Sequence, residues 1–441
     1  MTTTSVKTTP VSWHEFAMMY EGRKREMNMR AANSLLLLPP RKRDANVACF
    51  GKADKTNLTA KPDPVQRIIS PTDRRYLVAL GRWLKPLEKP LLAQIDKMYN
   101  SKTIMKGMNV IEMGSEFKRK WYRFNEPVAI GLDASRFDQH VSVDALKWEH
   151  NIYRSFFSRD QDLDELDMLL RWQLQVRGFG RTKDGYLKYR IDGTRTSGCI
   201  NTSMGNVLLM ACMVHAFIRA YSLDVEVANN GDDSVIIMER RTFEKMDFGN
   251  LVHDFFEKLG FDMKIEEPVY VFEQIKFCQL QPVMVDDIPT MVREAPVSFA
   301  KDCISIKPLD NEGLVKKWLY TVGMGGMTLS EGVPLSQAFY QCFIRSSELM
   351  KESRKKRRGK TSKFLSDPCM ETGFYYLQKG LHYNGVRCPS GRTRVSYWKA
   401  FGITPEVQRH IEQYYDSATI RRDKVIHDRP VLSFAATLGT S

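Results

Sequence analysis

No two cysteines in this chain form a CxxC pair. The eight, at positions 49, 199, 212, 278, 303, 342, 369 and 388, are scattered, which argues against a zinc site and against a secreted disulfide scaffold. Reduced, mostly buried thiols are the expected state. The eight histidines include no HExxH or similar ligand pair, so a histidine-held metal is not expected. The start, Met1 to Pro10, is polar and threonine-rich and carries no secretory signal. The longest apolar stretch, Val207 to Ile218, is interrupted by His215 and too short to span a bilayer; it reads as a buried core helix, and no transmembrane segment is expected. There is no internal repeat and no long low-complexity linker.

Negative charge is also in short supply. Lys plus Arg number 66 against 52 for Asp plus Glu, a formal +14, with a pI near 9.3. Such a balance favours a polyanionic partner, either nucleic acid or an anionic membrane surface, with nucleic acid the better choice. An apolar share of 43% suffices for a sizeable core. At 441 residues the chain can form one large domain or two to three lobes around a cleft.

Residues 1–45 read as a peripheral arm or a first helix and connector, and Phe50 to Glu88 as a cationic segment leading into a helix around Leu77–Leu84. Val128–Leu132 reads as a short buried strand ending at Asp133. Residues 145–176 have helical periodicity with many charges. A helix is expected over Thr242–Leu259 with Gly260 as its C-cap. The polybasic run Arg354–Lys360 reads as an exposed loop, able to contact RNA phosphates without a sequence code.

Three segments carry chemistry. The first is Asn230-Gly231-Asp232-Asp233, set between Val225–Ala228 and Ser234–Met238. β-Branched runs around Asn-Gly signal a hairpin, here with two carboxylates at its tip. Alone, this reads more readily as a solvated turn. The second is Asp133, at the end of its apolar strand, with Asp138 five residues on. Asp133 and Asp232 at one sheet edge could share two metal ions about 3.5–4 Å apart; alone, Asp133 serves as well to cap the next turn. All-oxygen ligation suits Mg²⁺, with Mn²⁺ able to substitute. The third is the small-residue segment Gly193–Asn206, preceding the apolar helix. Its backbone and hydroxyls could approach a ribose or phosphate, or simply form a flexible loop with an N-cap.

Asp-x4-Asp, then Ser-Gly-x3-Thr-x3-Asn, then Gly-Asp-Asp, in that order, resembles motifs A, B and C of viral RNA-dependent RNA polymerases, most closely those of tombusvirus-like positive-strand RNA viruses. The resemblance covers nearly the whole chain. Lys52–Lys55 and Ala60–Pro71 look like that group's motif F, Arg82–Glu88 its next block, Gly260–Lys264 motif D and Phe277–Gln279 motif E. Arg394–Trp398 and Ala400–Pro405 look like its thumb sequences. Thr194 and Cys199 depart from the usual motif B pattern, which touches fine tuning rather than activity.

The resemblance implies an α+β right-hand fold with an antiparallel palm sheet packed on helices: fingers and N-terminal arm over 1–130, palm over 131–285 with a fingers insertion at about 146–192, and thumb over 286–441. It implies templated RNA synthesis from NTPs, with Asp133 and Asp232 as metal ligands and Asp233 a weaker participant. Asp138 and Asn206, supported by Ser197 and Thr202, would sense the 2′-hydroxyl. Lys52, Lys61 and Arg67 would neutralise the triphosphate, and Lys264 would protonate pyrophosphate, although beside Met263 and Ile265 it reads equally as a snorkelling surface lysine. Implied partners are template and product RNA and a viral membrane-anchoring replication protein, in host cytoplasm at membrane-associated replication complexes. The upstream membrane-targeting region of such relatives is not in this sequence; the chain is expected to be part of a longer product or a shorter variety with a separate anchor. A reverse transcriptase and a non-catalytic RNA-binding scaffold are the rival readings.

Overall fold

The longest helix sets the frame for the residues that carry the motifs. In this computed structural model, which describes residues 6–52, 55, 65, 67–158, 162–182, 184–305, 308–349 and 380–420, α1 (Trp13–Met18) and α2 (Gly22–Leu37) are followed by α3 (Arg74–Tyr99). Asp73 caps α3 by accepting from the Arg75 N–H, and left-handed Asn100 ends it. The sequence suggested a helix only around Leu77–Leu84, because Pro86 and Pro90 interrupt the pattern. The helix runs on because Leu87, Leu91 and Ile95 extend the same buried stripe as Tyr76, Leu80 and Leu84. Lys61 and the basic run 354–360 lie outside the described residues.

The chain divides into two compact units. One comprises 1–52, 66–104 and 131–267; the other comprises 53–65, 105–130 and 268–441. The end of β3 (Pro127–Ala134), from Gly131 on, belongs to the first unit and leads to the one-turn α5 (Phe137–His140), α6 (Val143–Ser155) and α7 (Asp164–Gln173). The helical periodicity read over 145–176 is therefore two helices, and the chain turns into strand β4 (Gln175–Arg181) at its end. β5 (Tyr186–Asp192) completes a sheet of order β2-β1-β4-β5, with β1 at Val47–Gly51 and β2 at Ile68–Ile69. β1 runs parallel to β4; the other pairings are antiparallel.

Helix α8 (Thr202–Ala220) follows, then the hairpin β6 (Val225–Asn229) and β7 (Ser234–Glu239). These strands join β3 and β8 (Met263–Ile265) in the order β6-β7-β3-β8. The apolar run expected at 207–218 is the middle of α8. With its flanking turns the helix has 19 residues and is long and apolar enough to cross a membrane, which corrects the reading that it is too short. Its Val207, Leu208 and Ala211 are packed in the core with α3. The single helix expected over 242–259 is two, α9 (Arg240–Glu244) and α10 (Phe248–Glu257). Asp247 breaks it by capping α10 through the Asn250 N–H, which lets Phe248, Val252 and Phe256 bury together. Gly260 follows in the left-handed region, as its place in the sequence suggested.

The second unit packs α4 (Val110–Trp121) on the antiparallel pair β9 (Leu280–Val285) and β10 (Ile288–Arg293). Helices α11 (Ala295–Asp302), α12 (Glu312–Ser330), α13 (Ser336–Leu349), α14 (Gly391–Phe401) and α15 (Pro405–Ser417) follow. Leu319, Phe339, Phe343, Tyr397 and Ile411 lie in its core. Both units mix helix with antiparallel pairing, as an α+β chain should.

In the first unit, α3 and α1 meet at Gly81, where a Cβ would lie 2.4 Å from the ring of fully buried Phe16. Gly81→Ala is expected to destabilise by about 1–3 kcal/mol through overpacking, read as a lower urea midpoint. An unchanged midpoint would mean that α1 is free to move aside.

Candidate active site

The carboxylates of the Gly-Asp-Asp segment owe their position to Asn229. β6 and β7 pair from Val225↔Met238 to Asn229↔Ser234, leaving residues 230–233 as a four-residue loop. Buried Asn229 donates through Nδ2 to the Gly231 carbonyl (2.8 Å) and to Ser234 Oγ (2.7 Å), and the Asn230 N–H closes the loop on the Asp233 carbonyl at 2.9 Å. Gly231 takes φ +104°, a conformation that L side chains rarely adopt. Asp232 and Asp233 are both left exposed at the tip.

β3 lies beside β7. Alternation along β3 buries Leu132 and Ala134 and leaves Asp133 exposed on the other face. In the antiparallel register Asp133 stands directly opposite Lys264, also exposed, so both project from one face of the sheet. The chain then turns through left-handed Arg136 (φ 50°). Phe137 anchors this turn by packing on Phe261, with ring centroids 4.9 Å apart. That anchoring places Asp138 in the first turn of α5, largely out of solvent. Burial pushes its carboxyl above the ordinary 3.8; hydrogen bonding to Asn206 and the charge of Arg195 oppose this, while the negative charge of Asp232 adds to it.

The segment before α8 is tied to α5 through its backbone. The Arg195 N–H donates to the Asp138 carbonyl (2.7 Å), the Thr194 hydroxyl to the same oxygen (3.1 Å), and the Thr194 N–H to Val141 O (2.7 Å). Asn206, on the first turns of α8, donates Nδ2 to Asp138 Oδ1 at 2.8 Å. Ser197 and Thr202, the other expected sugar-sensing residues, are spent on backbone. Ser197 Oγ donates to Ile68 O (3.1 Å) and Thr202 Oγ1 to Thr196 O (2.6 Å). Of the expected sugar-sensing side chains in this segment, Asn206 alone makes a hydrogen bond to the Asp138 carboxylate.

The residues that hold Asn206 were not singled out from the sequence. Arg195 Nε donates to Asn206 Oδ1 at 3.0 Å, and its guanidinium binds Glu149 of α6 in bidentate fashion, Nη1 to Oε1 at 2.8 Å and Nη2 to Oε2. Glu149 also accepts from Tyr153 (2.6 Å) and Asn201 (3.1 Å). The side chains of Arg195 and Glu149 are 3% and 0% exposed. Burial alone would raise the Glu149 carboxyl; the Arg195 charge and these hydrogen bonds hold it below the usual 4.5. Because Asn206 Oδ1 is occupied by a group that can only donate, its Nδ2 must face Asp138. Gly205 makes room for the guanidinium, since a Cβ there would lie 2.5 Å from Arg195 Nη1.

Of the expected triphosphate ligands, Lys52 and Arg67 are neighbours through the Lys52 N–H to Arg67 O bond (2.8 Å), with Arg67 exposed despite its apolar sequence context. Among the described residues, no three His, Cys, Asp or Glu side chains form a metal cage on their own. Mg²⁺ does not require one: it keeps several waters and takes one or two carboxylates plus substrate phosphates. Exposed all-oxygen donors, Asp133 near the end of β3 and Asp232 and Asp233 in the loop of the neighbouring β6–β7 hairpin, suit that chemistry.

Removing one partner of the buried pair leaves a buried charge unmatched. Glu149→Gln is expected to cost about 3–5 kcal/mol, read by chemical denaturation. The folded-state value of Glu149 is depressed, so its contribution is complete above about pH 4.5 and lost as pH falls below it; the mutant should lack that step. Asp138 has the opposite sign, because its raised value means that its ionised form costs stability at neutral pH. Asp138→Asn is therefore expected to raise the melting temperature at pH 7, a gain that vanishes below about pH 3.8. A melting temperature lowered at pH 7 would show that the Asp138–Asn206 bond outweighs desolvation.

Residues 1–423 match the family described as viral RNA dependent RNA polymerase. The chain is 39% identical over 425 residues to the RNA-directed RNA polymerase of Tobacco necrosis virus (strain A), covering 96% of this chain and 56% of that protein. Against the RNA-directed RNA polymerase of Turnip crinkle virus it is 37% identical over 409 residues, 93% of this chain and 51% of the relative. Against that of Panicum mosaic virus it is 39% identical over 408 residues, 92% of this chain and 40% of the relative. The chain thus spans about half the length of the curated relatives it matches. By its motifs, the arrangement of its acidic strands and this likeness along nearly its whole length, the chain belongs to the viral RNA-dependent RNA polymerase family.

Proposed function

We propose that the chain is the polymerase portion of a viral replicase and extends RNA on an RNA template. The observation that carries this reading is Asp138, hydrogen-bonded by an orientation-locked Asn206 and close enough to Asp232 to feel its charge, with Asp133 on the strand beside the hairpin. The reaction is attack of an RNA 3′-hydroxyl on the α-phosphate of a templated NTP, with pyrophosphate leaving in line. Asp133 and Asp232, with Asp233, would hold Mg²⁺ or Mn²⁺, which when bound clamps the attacking and leaving oxygens.

The chain's own residues do the selecting. With Nδ2 of Asn206 on Oδ1, Asp138 keeps Oδ2 to accept from a ribose hydroxyl. A site built to bind that hydroxyl rejects a deoxynucleotide because its own groups are left unpaired. Lys52 and Arg67, with Lys61, bind the triphosphate, and Lys264, opposite Asp133 in register, supplies a proton to pyrophosphate. In this reading the chain takes a right-hand form: fingers to about residue 130, palm over 131–285 with an insertion at 146–192, and thumb beyond. It works in host cytoplasm at membrane-associated replication complexes, tethered by a viral anchoring protein.

The test is NTP incorporation on a short RNA template with Mg²⁺ or Mn²⁺. Asp232→Ala is expected to lower incorporation by about a hundredfold or more, as several kcal/mol of charge stabilisation are lost, with folding and RNA binding retained. Equal incorporation by both proteins would place the activity elsewhere. Preference for dNTPs would favour a reverse transcriptase, and no synthesis by a folded chain a scaffold.

A further inference from the structure

The sheet β2-β1-β4-β5 has one face that templated synthesis, as described, does not use. Side chains alternate along a strand, so Arg177, Phe179 and Arg181 of β4 point the same way. The register Arg177↔Arg190, Phe179↔Lys188 and Arg181↔Tyr186 puts three residues of β5 beside them. The parallel pair Ala48↔Phe179 brings Phe50 of β1 to the same side. The opposite face is packed in its middle and apolar at its edge: Val176 is buried, the Tyr189 hydroxyl meets Cys49 Sγ at 3.1 Å and its ring occupies the space over Gly178, while Leu187 and Ile191 of β5 stay exposed there.

The outward face is therefore both basic and aromatic. Phe50 is 55% exposed, Phe179 43% and Tyr186 71%, and the four cations are all exposed. The rings of Phe179 and Tyr186 lie 6.2 Å apart, with the Lys188 ammonium 5.5 Å from the Tyr186 centroid. One acid shares this face: Asp192, opposite Gln175 and accepting from its Nε2 at 2.7 Å, sets one negative charge against the four positive ones, and Asp184 sits in the turn. Arg177 directly opposite Arg190 is a like-charge pair, which destabilises a sheet unless an anion lies across it.

We propose that this face binds single-stranded RNA, its phosphates on the four cations and its bases stacked on the exposed rings. Cationic grooves with stacking aromatics are the common means of holding single strands without reading their sequence. The choice of RNA over single-stranded DNA rests on the polymerase reading; the face itself does not.

The experiment is fluorescence anisotropy of a labelled, unstructured oligouridylate with the full chain. The double variant Phe179→Ala/Tyr186→Ala is expected to bind about tenfold more weakly or worse. Arg190→Thr should reduce the slope of log affinity against log salt by about 0.7, one phosphate contact on a single strand, and at the same time raise the melting temperature by relieving the Arg–Arg opposition. Asp232→Ala should bind normally. Unchanged affinity and salt slope in both face variants would overturn the proposal even if the chain polymerises NTPs. Weaker binding by the face variants of a chain that incorporates no NTPs would sink the polymerase reading and leave the face standing. Tighter binding to phosphatidylserine vesicles than to oligouridylate, lost in Arg190→Thr, would overturn the proposal in favour of a membrane surface.

Discussion

The buried pair of Glu149 and Arg195 is the constraint on which the Asp138–Asn206 contact depends. Two charges taken out of water repay their desolvation only when geometry and hydrogen bonding are nearly complete. Here they are: Tyr153 and Asn201 cover the carboxylate, and Asn206 takes a third face of the guanidinium. The planar fork of arginine can serve a carboxylate and an amide oxygen at once, which a lysine ammonium does with less geometric control. The pair joins α6, the loop over 193–201 and α8, and its effect passes through one side-chain amide to Asp138. A permanently charged donor also makes the orientation of that amide independent of pH.

Two side-chain placements are ones that stability alone would not choose. Asp138 is desolvated and lies near another carboxylate, and Arg177 faces Arg190 across a hairpin. Both arrangements oppose folding; under the roles proposed above a bound ligand would offset that cost, the usual relation between a site and its scaffold.

The parts legible in the sequence were those with a short period or a fixed order. The hairpin over 225–239 and the strand ending at Asp133 came through because alternation and Gly-Asp turn chemistry act within a few residues. Helix ends fared worse, since burial of Leu91 and Ile95 overrode two prolines and a cap at Asp247 split one expected helix. Glu149 was lost among the charges of its helix. Periodicity can show a polar position but not which carboxylate a distant arginine will claim, and Arg195 is 46 residues away in the chain. The basic face of β4 and β5 was hidden similarly, because its residues lie beyond the helical pattern of 145–176 and the strand register that gathers them is a tertiary fact.

Helix α8 has a consequence for how the chain is made. It is apolar nearly all round, and its covering surfaces are synthesised at different times. α3, α6 and α7 all emerge before it, so Leu208 and Ala211 meet waiting partners. Phe217, near its other end, packs on Phe248 and Phe256, which the ribosome delivers only after the whole β6–β7 hairpin. During that interval the end of the helix around Phe217 lacks its covering rings, so its apolar surface stays exposed until α10 follows.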